Sequence, residues 1–178
     1  MRSAEERLRF YAGQFNTVEV DSTYYALPAE RNAKLWAERT PAGFLFNIKP
    51  FALMTQHPAE MSRLPKELRE MVPAAERSNR QLTRPSKEVV DVAFQMFWSA
   101  MSPLRESGKL GMVAFQFPPY FISKPANLDY LARLPERSLD RCRVPPPELG
   151  SRRNATYRDH ELSAIAWLVL HFDRRARR

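Results

Sequence analysis

Glu19 and Asp21 stand two residues apart in the stretch FNTVEVDSTYYALP, alternating with Val18 and Val20. On an extended chain, that spacing puts both carboxylates on one face and both valines on the other. Two carboxylates can divide acid and base roles when their environments differ. Lys49, at the end of FLFNIKP, is the available countercharge. A partly buried lysine beside carboxylates can hold an anionic substrate oxygen, or act as an acid or base with a shifted pKa. Asn47 and Gln116 add neutral hydrogen-bonding groups, and His57 lies in a long loop from which it can reach the same place. Of the adjacent Tyr24 and Tyr25, one is expected over the site and the other in packing. The competing reading of Glu19, Lys49, Asn47 and Gln116 is a polar network that only fills a barrel interior.

These residues share a place only if the strands that carry them are parallel neighbours. Ser3 and Glu6 form a capping-box pattern ahead of a first helix that Gly13 can stop. The strand of Val18 and Val20 follows, then a helix over ERNAKLWAER ending at Thr40-Pro41. FLFNIKP is a second strand. Residues 51–85 contain four prolines and read as a long irregular loop with one short helix near Pro65–Met71. Ser86 caps a third helix, with Val89, Ala93, Phe97, Ala100 and Leu104 on one face. After Gly108, LGMVAFQFPP is a third strand, and a short helix runs from Asn127 to about Leu134. RCRV, residues 141–144, reads as the start of a fourth strand.

Helical connections between successive strands imply a parallel sheet with helices packed on it. Parity then sorts the faces. Val18 and Val20, Phe46 and Ile48, and Val113, Phe115 and Phe117 lie on greasy faces. Glu19 and Asp21, Asn47 and Lys49, and Ala114 and Gln116 lie on faces that turn polar toward the strand C-termini, where parallel α/β folds bind ligands. The expectation is a shared polar centre that lines the interior or the mouth of a barrel.

The chain has 178 residues, 44 % of them apolar, a globular composition. One cysteine, Cys142, cannot form an internal disulfide and reads as a structural thiol. The charged start lacks a secretory leader's apolar run, and AIAWLVLHF is too short to span a bilayer. The expectation is a soluble cytoplasmic protein with no membrane partner. The net charge is +8, and residues 151–178 hold seven arginines against three acids, half of that excess. Such a tail could bind nucleic acid weakly and non-specifically. There is no Gly-rich phosphate loop, H-E-x-x-H or paired C-x-x-C, and His57, His160 and His171 are too far apart to suggest a metal site by spacing. No cofactor or reaction follows from these residues.

FNTVEVDSTYYALP, AERTPAGFLFNIKPFALMTQHP, GKLGMVAFQFPPYF and ANLDYLARLPER, in that order and spacing, resemble the YecE-like family, domain of unknown function 72. The resemblance runs from about Phe10 to Val144. It implies a TIM-type barrel with no established reaction. It also maps the family's polar strand-end residues onto Glu19, Asp21, Ser22, Tyr24, Lys49, His57 and Gln116. Glu19, Lys49 and His57 are then the candidates for chemistry. Asp21, Ser22, Tyr24, Asn47 and Gln116 are the candidates for ligand contacts, with a small polar or anionic ligand implied. The family's opening Gly-Thr-Ser-Gly-Trp-like strand is absent, and PPPELGSRRNATY departs from its continuation. The expectation is therefore a partial barrel of about four parallel strands, truncated at both ends, over residues 1–144, with an irregular basic tail over 145–178. Exposed strand edges would favour self-association. A non-functional gene remnant is the remaining reading.

Overall fold

A computed structural model of the chain describes residues 3–122, 124–138 and 168–171. Helix α1 (Ala4–Ala12) begins with the expected capping box. The Glu6 amide donates to Ser3 Oγ, and the Ser3 amide donates to the Glu6 carboxylate at 2.6 Å. Strand β1 (Thr17–Val20), the single turn α2 (Ser22–Tyr25), helix α3 (Glu30–Glu38) and strand β2 (Leu45–Ile48) follow. Short strands β3 (Ala59–Glu60) and β4 (Gln81–Leu82) flank α4 (Lys66–Met71). Helix α5 (Lys87–Glu106), strand β5 (Leu110–Phe115), helix α6 (Pro125–Ser138) and strand β6 (Leu168–His171) complete the order.

The main sheet runs β1-β2-β5-β6. β1, β2 and β5 are parallel, as the helical connections require, with Glu19 opposite Asn47 and Val20 opposite Ile48. The greasy parity packs under helices. Trp36 of α3 stacks on Phe46 with ring centroids 5.9 Å apart, and Phe94 of α5 stacks on Phe115 at 6.4 Å. The predicted α5 stripe, Val89, Ala93, Phe97, Ala100 and Leu104, is buried throughout. Ser86 Oγ accepts the Val89 amide at its N-terminus.

Two expectations need correction. The neighbour of β5 is β6, and it is antiparallel, with Met112 opposite His171 and Phe115 opposite Leu168. A tail expected to be irregular thus contributes a strand, while RCRV lies outside the described residues. The sheet is open, in keeping with the expected free strand edges. Among the described residues nothing pairs with the outer edge of β1. Glu19 and Asp21 keep much of their contact with water. The β3–β4 pair and three 3-10 turns also give residues 51–85 a fixed course, with Phe51, Leu53, Met54, Leu64, Leu68 and Val72 buried. The prolines there punctuate a packed segment, because its apolar residues are held by contacts remote in sequence.

A bulge separates β2 from β5. Phe46 pairs with Leu110 and Ile48 with Val113, so Asn47 faces both Gly111 and Met112. Its carboxamide fills the irregularity. Oδ1 accepts the Met112 amide at 3.2 Å, and Nδ2 donates to Thr17 Oγ1 at 3.0 Å. The Thr17 hydroxyl donates in turn to the Leu45 carbonyl. Gly111 is required by space: a Cβ there would lie 2.5 Å from Asn47 Oδ1.

Candidate functional site

The ends of β1 and β2 are tied together before any side chain reaches the site. The Lys49 amide donates to the Val20 carbonyl, continuing the ladder by one residue. Buried Thr23, on α2, directs its hydroxyl at both the Val20 and Lys49 carbonyls, at 3.0 and 2.6 Å. Lys49 is thereby held over the acids of β1. Its Nζ lies 2.7 Å from Asp21 Oδ1 and 3.3 Å from Glu19 Oε1. The lysine side chain is 26 % exposed, against 49 % for Glu19 and 62 % for Asp21. The Asp21 hydrogen bond, aided by Glu19 and opposed by burial, raises the Lys49 pKa above its ordinary value, so the ammonium is retained.

A cavity of about 270 Å³ opens beside this cluster at the C-terminal ends of β2 and β5. Asp21, Tyr24, Lys49, His57 and Gln116 line it, together with Tyr25, Pro50, Thr55 and Ala114. Gln116 follows β5, and Ala114 precedes it on the same parity. His57 is aimed by a tight turn after the 3-10 helix Ala52–Thr55. Gln56 takes a left-handed conformation there (φ 60°), uncommon for a residue with a side chain. Its carbonyl accepts the Tyr120 hydroxyl at 2.8 Å, which anchors the turn. His57 Nδ1 is 2.9 Å from Thr55 Oγ1, and Tyr24 meets the imidazole edge-on at 5.4 Å. Burial lowers the His57 pKa, keeping the ring neutral at neutral pH. Burial, with smaller contributions from Tyr25 and Tyr120, raises that of Tyr24, which stays a phenol.

Of the residues picked from sequence, Asp21, Tyr24, Lys49, His57 and Gln116 share the cavity, and Glu19 joins through Lys49. Asn47 does not line it, because its carboxamide is engaged in the bulge. Ser22 is exposed at the start of α2, where its carbonyl accepts the Ala26 amide, and it too lies off the lining. Both Tyr24 and Tyr25 reach the cavity, where one was expected. Thr55 and Pro50 were missed. Both sit beyond the strands, where parity has no say. Among the described residues no group of three or more His, Cys, Asp or Glu could hold a metal ion. None of the described helices is long and apolar enough to cross a membrane.

A second cavity, of about 280 Å³ between α5 and α6, is lined by Pro85, Lys87, Val90, Asp91, Phe94, Tyr130 and Leu134. It is mainly apolar and lacks a comparable convergence of polar groups.

Comparison with known proteins gives one consistent answer. The family described as "Protein of unknown function DUF72" matches residues 1–165. The UPF0759 protein YunF of Bacillus subtilis (strain 168) is 32 % identical over 129 residues, which cover 72 % of this chain and 38 % of that protein. Two crystal structures of a DUF72 family protein from Enterococcus faecalis V583 share the fold. One has a TM-score of 0.55 at 24 % identity, covering 75 % of this chain and 44 % of the other. The second has a TM-score of 0.56 at 23 % identity, covering 78 % and 41 %. The chain thus spans less than half the length of each of these relatives.

Proposed function

The chain belongs to the DUF72 family of proteins of unknown function, and from that premise we propose that its strand-end cavity binds a small, uncharged, hydroxyl-rich ligand such as a sugar. The observation that carries this is the pairing of one ammonium with two carboxylates: Lys49 is engaged by Asp21 and Glu19 at once. A free anion would have to displace a carboxylate from Lys49 and then sit beside it. A hydroxylated ligand can donate to the carboxylates and accept from the lysine without separating them. Tyr24 and Tyr25 supply aromatic surface for the ligand's C–H faces, and Gln116 supplies both a donor and an acceptor. The three parallel strands with helices on one face are, in this reading, a segment of a TIM-type barrel, in which ligands bind at this end.

Isothermal titration of the full chain with neutral hexoses and, separately, with inorganic phosphate tests the reading. Saturable binding of a hexose, lost in Lys49→Met and Tyr24→Ala, is expected. Phosphate bound more tightly than any neutral hexose would overturn it in favour of an anion site.

A further inference from the structure

Thr55 Oγ1 has two neighbours. It lies 2.9 Å from His57 Nδ1 and 3.1 Å from the Ala52 carbonyl oxygen. A carbonyl oxygen only accepts, and a hydroxyl carries one proton. With that proton directed at Ala52, Oγ1 turns a lone pair toward the imidazole, and Nδ1 must supply the hydrogen. The opposite arrangement would leave two oxygens facing each other at 3.1 Å with no hydrogen between them. Thr55 is buried, 1 % exposed, so water gives little relief there. The Ala52 carbonyl also accepts the His57 amide at 3.0 Å, which fixes the turn without changing the count of hydroxyl protons.

We propose that Thr55 is a positioning residue that fixes neutral His57 as its Nδ1–H tautomer, so that Nε2 offers a lone pair to the cavity and accepts a hydrogen bond from a ligand hydroxyl. His57 lines the cavity, and its Nε2 has no hydrogen-bond partner among the described residues. Tyr24 packs edge-on against the ring, and Asp21, Lys49, Tyr25 and Gln116 share the space. Lys49 is tied to its two carboxylates. A ring whose far nitrogen donates to a fixed acceptor is held in orientation, with its free nitrogen left as the acceptor. The ligand half of the proposal rests on the reading of the cavity given above; the tautomer half does not.

Long-range proton–nitrogen NMR of the full chain, without ligand and at about pH 8 where a neutral imidazole dominates, reads the tautomer directly. The chain has three histidines, and the signals lost in His57→Gln identify the ring. The expected spectrum has Nδ1 at a protonated shift and Nε2 at a bare one. Thr55→Ser should preserve it. Thr55→Val should move the ring toward the Nε2–H form that free histidine prefers. An Nε2–H ring in the unsubstituted protein, or an unchanged tautomer in folded Thr55→Val, would overturn the assignment. If Thr55→Val does not fold, the unsubstituted and Thr55→Ser spectra still decide the tautomer. Saturation with a neutral hexose should then shift Nε2 in the unsubstituted protein. A bare Nε2 unmoved by a hexose that calorimetry shows to saturate the site would overturn the ligand half alone; no hexose binding at all would overturn the sugar reading and the ligand half with it, while the tautomer stands.

Discussion

Replacing Gly111 with alanine should break the bulge between β2 and β5 through one side chain, that of Asn47. The new Cβ would sit 2.5 Å from Asn47 Oδ1, closer than atoms tolerate, and 3.3 Å from both the Leu45 Cβ and the Phe46 carbonyl. The carboxamide is the only one of these that can swing away, and doing so breaks its bonds to the Met112 amide and Thr17 hydroxyl. Two hydrogen bonds at ~0.5–1.5 kcal/mol each give ~1–3 kcal/mol. The remaining tight contacts add about 1 kcal/mol, the low end for overpacking. Gly111→Ala should therefore cost ~2–4 kcal/mol, but only about 1 kcal/mol in an Asn47→Ala background, where no carboxamide remains to displace. Urea unfolding of the four proteins of this cycle measures the difference. With a slope of about 2 kcal/mol/M, the single Gly111→Ala variant should lose ~1–2 M in midpoint. The same loss in both backgrounds, within about 0.5 kcal/mol, would show that Asn47 is not what the glycine accommodates.

Two further predictions concern titratable groups whose pKa burial lowers. Lys109 is 8 % exposed and directs its ammonium at the Ala37 and Thr40 carbonyls and the Thr40 hydroxyl, at the C-terminal end of α3. Lys109→Met should cost ~1–3 kcal/mol by leaving those acceptors unpaired. Burial lowers the Lys109 pKa from 10.5, so the folded state binds fewer protons than the unfolded one between the two values. Stability from this group therefore rises with pH across the window below 10.5, and unfolding curves of Lys109→Met should lack that rise. The His57 pKa is lowered from 6.5 by burial. Its contribution is fully present above that value and is lost as pH falls through the folded pKa, so the stability difference from His57→Gln should shrink on acidification. A difference that grew on acidification would mean the ring is protonated in the folded state.

Local chemistry carried much of this into the sequence. The Ser3–Glu6 box, the Ser86 cap and the buried stripe of α5 depend on residues within a turn or two of one another, so spacing alone reveals them. Strand parity works the same way. It put Glu19, Asp21, Lys49 and Gln116 on polar faces, and two helical connections made the strands parallel, so the meeting of Lys49 with both acids was legible before any coordinates. Parity could not distinguish Asn47 from its neighbours, because its task depends on one extra residue in a strand more than sixty positions away. The antiparallel seat of β6, the burial of Lys109 under α3 and the left-handed turn at Gln56 are likewise set by partners remote in the chain. Thr55 reads as one polar residue in an apolar run; only the folded turn brings its single hydroxyl proton between a carbonyl and an imidazole. Sequence determined which groups could do chemistry and which strand ends carry them. Tertiary structure decided which of those groups were already spent on one another, because hydrogen-bond valence is counted in space and not along the chain.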